Sequence, residues 1–407
     1  MLRSVFARQF DHQEVAKVSA DACDVRVSRV AIAVPSLYYG GGQRVAVLLA
    51  NEIAERLGAD VTIIVSYRGM SVEMTSAVSR DVRIEFLPDP SRNLFGCVLA
   101  YARHVLAKSY DVIHTHLSSF RYCMLGMLLQ RNSRWIHTVH TVPQTEDPCR
   151  WQRLLKSGYY GRFTKPVLLT PRMRVKFREL YGFDRGEEVI PNGVPSVMVT
   201  EHSREAENEL EQYRRSPHTR FLVTVSWLRH VKRFDIMVEA FQRLRASGAD
   251  VVLLHIGNSE EWSDRKAELA AKGIFFLGPR PNVIDYLHYS HFFLLSSEIE
   301  ALPVSMLEAM ALGAVPVCTP AGGIPDVIDD GQTGFLAGGF TAEAFAEALS
   351  RAWSMPSEEY TAMSNRCRQL VESQFSVRRM ADNYWRCYHG LPPDPFWKGN
   401  VRTEPRV

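Results

Sequence analysis

The sequence predicts an α/β protein of two doubly wound parallel-sheet domains that face each other across a cleft. Three observations carry this. Two separate series of short apolar strands alternate with amphipathic helices, a polar and charged stretch lies between them, and 407 residues suffice for two domains of ordinary size. A composition of 46% hydrophobic and 23% charged residues allows each domain its own core.

In the first series, the apolar run 29–35 reads as a strand. Residues 43–57 follow as a helix, with Val45, Leu48, Leu49 and Ile53 at helical spacing, and 61–65 form the next strand. Further strands are expected at 82–87, 111–115, 134–140, 166–170 and 187–190, with a helix at 94–107. The second series opens with strand 221–226 and helix 233–247, continues through strands 251–256, 274–277 and 291–295, and closes with helix 341–353. The expected division is an extension 1–28, a first domain 29–195, a linker 196–218 and a second domain 219–375. A returning segment 376–390 and a tail 391–407 complete the chain. Ligands of doubly wound sheets bind outside the carboxyl ends of the strands, so the cleft between the domains is the expected site.

The seven cysteines are scattered and contain no C-x-x-C pair, which predicts reduced thiols in a cytoplasmic chain. Residues 1–28 offer no apolar run fit for a signal peptide, and no stretch of eighteen apolar residues occurs, so neither export by that route nor a membrane span is expected.

The chemistry concentrates in a few short stretches. Ser297 to Gly313 carries Glu300 and Glu308 across a loop-to-helix junction, the helix starting near Val304. The first N–H groups of that helix, at Val304 and Ser305, have no intrahelical partners and suit a phosphate. Glu308, one turn further in, is placed to accept from ribose hydroxyls, and Glu300 from hydroxyls of a sugar being moved. The loop Gly40-Gly41-Gly42-Gln43-Arg44-Val45 opens the first helix with bare backbone at Gly41 and Gly42. Val45 stands where a dinucleotide fingerprint needs glycine, and no acidic residue ends the second strand, which disfavours a nicotinamide enzyme. Arg229 and Lys232, just past the first strand of the second domain, form a pair of cations able to hold a diphosphate. No D-x-D pair occurs and no cluster has metal-ligand spacing, so neither a metal nor a cofactor is expected.

Residues 294–336 resemble the signature region of glycosyltransferase family four, retaining enzymes of the GT-B fold. The resemblance rests on Ser297-x-x-Glu300, Pro303, Glu308-Ala309-Met310-Ala311, Gly313, Pro316-Val317 and Gly322-Gly323, with Ala301 in place of a glycine and Asp326 in place of a glutamate. The glycine loop is similar to the family's G-G-A-E-R-V opening, and Val223 to Asp235 to its V-S-N-F-R-P-V-K-R segment. The resemblance implies two Rossmann-like domains and a C-terminal crossover helix, seen in the stretch ending in Met380, Tyr384 and Tyr388. It further implies a nucleotide-diphosphate sugar, UDP or GDP, as donor substrate. Arg229 and Lys232 would lie at the diphosphate, Leu277 and Leu302 along the nucleotide, and His140 near the donor sugar, with His116 a looser match. Glu300, His140, Arg229 and Lys232 are the expected catalytic set. A non-catalytic GT-B subunit and a GT-B epimerase or phosphorylase stay open as alternatives.

The segment 148–178 holds nine cations and no acidic residue, interleaved with Trp151, Leu154, Leu155, Tyr159, Tyr160 and Phe163. This pattern predicts a peripheral contact of 149–178 with the anionic inner face of the plasma membrane, and hence a glycan or lipid-linked acceptor of surface polysaccharide or glycolipid synthesis. Nucleic acid is not expected, since no reader module accompanies the patch.

Overall fold

The computed structural model describes residues 27–38, 40–66, 70–87, 94–146, 149–182, 184–196 and 199–395. Most of the extension and the last residues of the tail lie outside these. The first domain is built on strands β1 (Arg29–Val34), β2 (Asp60–Val65), β3 (Val82–Phe86), β4 (Val112–His116), β5 (Arg134–Thr138), β6 (Lys165–Leu168) and β7 (Glu188–Val189). The second holds β8 (Arg220–Val225), β9 (Val251–Ile256), β10 (Ile274–Gly278), β11 (Phe292–Leu295), β12 (Val315–Cys318) and β13 (Phe335–Leu336). The sheet orders are β3-β2-β1-β4-β5-β6-β7 and β10-β9-β8-β11-β12-β13, and the pairings are parallel.

Parallel strands need crossover helices on both faces, so their own residues are buried on both sides. That is why residues 30–34 form an unbroken apolar run, and 251–256 one interrupted only by His255, in place of an alternating pattern. The first-domain helices used below are α1 (Gly41–Glu55), α2 (Leu94–Ala107), α3 (Ser119–Leu129), α4 (Arg150–Tyr159) and α5 (Pro171–Tyr181). Helix α1 buries Val45, Leu49 and Ile53 along one stripe, each such side chain contributing about 1.5–3 kcal/mol.

The second domain adds α6 (Ser203–Glu211), α7 (Phe234–Ala246), α8 (Val304–Leu312), α9 (Ala342–Trp353) and α10 (Ser357–Gln374), and α11 (Val377–Tyr388) follows. Helix α6 corrects the reading of 196–218 as a linker. It is a folded part of the second domain, where Glu209 accepts from Arg280 at 2.6 Å and from the Tyr286 hydroxyl at 2.5 Å. Asp285 in turn accepts from the Thr200 amide at 2.7 Å.

Helix α11 crosses back onto the first domain. Its Asp382 pairs with Arg56 at 2.7 Å, and the carbonyl of Tyr388 accepts from Arg134 at 2.7 Å. The turn into it is tied to the first domain's exit, with Val194 N–H donating to the Phe375 carbonyl and Val377 N–H to that of Val194. Gly193 fits there because a Cβ would come within 2.6 Å of the Val377 Cα. No helix of the described residues is long and apolar enough to cross a membrane.

Candidate active site

In each sheet the strand order reverses once, between β1 and β4 and between β8 and β11. Such switch points open a crevice at the carboxyl ends of the strands. The motif loops leave from there: Gly41 and Gly42 after β1, Leu117 and Ser118 after β4, Trp227 to Lys232 after β8, and Ser296 to Pro303 after β11. Among the described residues two non-glycines have positive φ, Leu117 at 56° and Arg233 at 44°, one at each switch point. Backbone strain of this kind gathers where the surrounding structure holds a site in shape.

On the second-domain side, Lys232 Nζ lies 2.6 Å from Glu300 Oε1. The Ser296 hydroxyl donates to the carbonyls of Lys232 and Arg233, and the Glu298 amide to the carbonyl of Val231, so the two loops are bonded into one unit. Arg233 pairs with Glu298 and Asp235 and is thereby withdrawn from the cleft. The Arg229 guanidinium lies over the Trp227 ring, 4.1 Å from its centroid. Gly322, at φ 51°, packs where a Cβ would overlap the Glu300 carbonyl, so the glycine pair lets the Glu300 loop lie flat against the next loop.

Helix α8 begins at Val304 after Pro303, with no side-chain cap, leaving its first amides toward the cleft without a side-chain acceptor. Ser305 donates to the Val225 carbonyl at 3.3 Å, and the Leu302 carbonyl accepts from Asn192 at 2.9 Å. Leu277, at the end of β10, is buried.

Glu308 is buried too, and the residue facing it comes from the other domain. Arg44 Nη2 lies 2.7 Å from Glu308 Oε1, while that oxygen has no partner in hydrogen-bonding geometry. The contact is a close charge pair whose direction leaves the carboxylate's acceptor capacity largely unused. Burial raises the Glu308 pKa, and Arg44 opposes it. Gly41 lies beside Val304 across the same gap.

On the first-domain side, His140 Nε2 meets His116 Nδ1 at 2.8 Å. Gly42 lies against this pair, where a Cβ would come within 3.2 Å of His140 Cγ. Burial pushes the His140 pKa down to about 4 and that of His116 well down, so both are neutral at pH 7. His114 packs against His116 with the rings tilted and bonds Tyr388 and Thr138, each at 2.7 Å, and Thr138 bonds Tyr384 at 2.7 Å. Helix α11 thus braces the strand ends that present His116 and His140. A cavity of about 380 Å³ opens beside His140, lined among others by Gln43, Leu117, Arg121, Glu146 and Lys156.

Known proteins share this two-domain build. Residues 39–197 match the family described as Glycosyltransferase Family 4, and residues 205–370 that described as Glycosyl transferases group 1, most of the chain between them. The chain belongs to glycosyltransferase family 4. A curated relative, N-acetyl-alpha-D-glucosaminyl L-malate synthase of Bacillus anthracis, is 30% identical over 190 residues, 45% of this chain and 49% of its own, so the match spans about half of that relative's length. Among solved structures, a glycosyltransferase from Rickettsia africae superposes with a TM-score of 0.76 at 20% identity over 90% of this chain and 99% of its own. Anabaena HepE in complex with UDP and glucose gives 0.74 at 15% identity, over 89% and 100%. The fold is GT-B.

In this family 4 chain the basic segment is more folded into the structure than its charge pattern predicts. Lys156 is buried, 2.7 Å from Glu146, which also meets His137. Arg172 pairs with Asp326 of the second domain, Lys165 with Glu188, and Arg178 with Glu187 and Asp184. Tyr160 is a core residue, and Tyr159 and Phe163 pack against the core. The outer face of α4 is solvent-facing and apolar, with Trp151, Leu154 and Leu155 exposed beside Arg150, while Arg162 and Arg178 are exposed further along the segment. The motifs do not point to Arg44 or Glu146. The one signal for Arg44 is its place one helical turn past Gly40, in the glycine loop itself.

Proposed function

We propose that the protein moves a sugar from a nucleoside diphosphate donor to a glycan or lipid-linked acceptor, with retention of anomeric configuration and without a divalent metal. The observation that carries this reading is the facing of two sets of groups across one cleft. Glu300, Lys232, Glu308 and the open start of α8 lie on one wall, and Gly42 and the neutral His140 on the other.

In this reading ribose hydroxyls donate to Glu308, and the diphosphate lies between the first amides of α8 and the cations Arg229 and Lys232. The bond between the sugar's anomeric carbon and the diphosphate oxygen breaks, its electrons leaving with the diphosphate, where the fixed positive groups stabilise them. The acceptor oxygen bonds the same face of that carbon and gives up its proton to the departing diphosphate oxygen. Glu300 holds the sugar's hydroxyls, and His140 supports the sugar as charge develops. The HepE structure holds UDP and glucose, which makes UDP-sugars the first donors to test.

The exposed Trp151, Leu154 and Leu155 beside Arg150 support peripheral docking on an anionic membrane, in keeping with a lipid-linked acceptor. The test is incubation with UDP-glucose and other nucleotide sugars, following release of nucleoside diphosphate and the product's anomeric signal by NMR. Release with an α-donor giving an α-product supports the reading. A non-catalytic subunit would release none, and a phosphorylase would require orthophosphate.

A further inference from the structure

The cavity beside His140 is walled by the first domain alone, and its charges do not balance. Arg121, Lys156 and Glu146 line it. Lys156 and Glu146 neutralise each other at 2.7 Å; burial opposes ionisation of Glu146, but Lys156 and His137 overcome it and hold its pKa at about 2. His140 is neutral at pH 7. The charge left over is that of Arg121, whose guanidinium makes no ion pair among the described residues.

Its position sharpens the imbalance. Arg121 lies in the first turn of α3, where the helix dipole disfavours a cation, and that turn contains no acidic residue. The α3 start and Arg121 therefore add their positive potentials on the same side of the cavity, and no acidic side chain among the described residues pairs with Arg121. The Ser118 hydroxyl, which makes no capping bond, and those of Thr141 and Thr145 line the same space. At about 380 Å³ the cavity falls in the range of small-ligand sites.

We propose that the acceptor unit is an acidic sugar, bearing a carboxylate or a phosphate monoester, whose anionic group binds Arg121 while its attacking hydroxyl lies at His140. This rests on the sugar-transfer reading above. A guanidinium binds a carboxylate or a phosphate through two parallel hydrogen bonds, so the same contact fixes the orientation of the ring. The hydroxyls of Ser118, Thr141 and Thr145 and the amide of Gln43 suit the remaining sugar hydroxyls. A neutral sugar would leave Arg121 uncompensated in a half-enclosed site.

The test is saturation-transfer NMR on the full chain with UDP present, using glucose, glucuronate and glucose 6-phosphate as probes at millimolar concentration. Glucuronate or glucose 6-phosphate should bind more tightly than glucose, and which of the two does so separates a carboxylate from a phosphate. Arg121→Gln should weaken the acidic probe about ten-fold or more and leave glucose unmoved, while Arg121→Lys retains part of the preference. Glucose binding as well as its acids, an acidic probe unmoved by Arg121→Gln, or no acidic probe binding to UDP-loaded protein overturns the acceptor inference alone, since the UDP signals in the same sample report the donor site. Loss of UDP binding to the parent protein takes down both the inference and the reading beneath it.

Discussion

Arg44 and Glu308, separated by most of two domains in sequence, meet across the cleft at 2.7 Å, and the Glu308 side chain is only 6% exposed. In the proposed reading the carboxylate that takes the ribose faces a cation from the opposite domain. Ribose hydroxyls must take the acceptor positions that the off-axis Arg44 contact leaves unused. Glu308→Ala removes charge-assisted hydrogen bonds of about 1.5–3 kcal/mol and should weaken nucleotide binding roughly 10-fold to 150-fold with the fold intact. Isothermal titration of the variant measures it, and unchanged affinity rules out the assignment.

The same pair sets a pH dependence. If, as proposed, the ionised Glu308 accepts ribose hydroxyls, nucleotide affinity should fall as pH falls through its pKa, which burial raises and Arg44 opposes. Arg44→Met removes the opposing charge and should shift that fall to higher pH. Nucleotide titrations of parent and variant from neutral to mildly acidic pH would show it. Superimposable curves would mean that Arg44 does not act through Glu308.

Four buried histidines, His114, His116, His137 and His140, have pKa values lowered first of all by burial. For His140 the folded value is about 4 against an ordinary 6.5. Between those values the unfolded chain takes up the proton and the folded chain does not, so stability is full above pH 6.5 and is lost as pH falls toward 4. A tenfold difference in proton affinity between folded and unfolded chain corresponds to about 1.4 kcal/mol. Melting temperatures should drop across this window, with a shallower slope in His140→Gln. A flat profile in the parent would contradict the buried neutral cluster.

The proposed membrane docking rests on a smaller patch than the charge run suggests. Replacing Arg150, Trp151 and Leu154 together by Ser should release the protein from anionic liposomes, the lost cation alone contributing about 1 kcal/mol. Lys156→Met should leave co-sedimentation unchanged, because Lys156 faces Glu146 inside the domain. Equal pelleting of the triple variant and the parent would assign the patch to plain solvation.

Strands such as 251–256 and the helix 94–107 are legible in the sequence because a buried parallel strand and an amphipathic helix each write their period locally. The start of α8 at Val304 is legible from the proline before it. Helix α6 is not, since Ala206 and Leu210 are its only buried residues in a highly charged stretch. The inward turn of Lys156 is hidden for a related reason. Charge spacing does not tell which cation faces solvent, and the deciding partner, Glu146, lies ten residues back in another element. Pairs such as Arg44 and Glu308, or His114 and Tyr388, are set by how the domains and α11 come together, and leave no mark on either neighbourhood.

The chemistry should proceed without a divalent ion, with Arg229, Lys232 and the α8 amides stabilising the departing diphosphate. Excess chelator should leave the transfer rate nearly unchanged, while Lys232→Ala lowers turnover. Glu300→Gln should lower turnover more than donor affinity, because its hydrogen bonds strengthen as the sugar reacts. Activity abolished by chelator and restored by magnesium or manganese would overturn the metal-free assignment.

At the centre of the proposed function is a cleft that binds a nucleoside diphosphate through Glu308 and the start of α8. The most direct measurement is the melting temperature of the full chain against UDP, GDP and ADP, in the parent and in Glu308→Ala. A ligand that binds only the folded form at a hundred times its Kd stabilises by about 2.7 kcal/mol. One diphosphate, UDP first, should raise the parent's melting temperature saturably and do far less for Glu308→Ala. No shift with any of the three, or an equal shift in parent and variant, would contradict it.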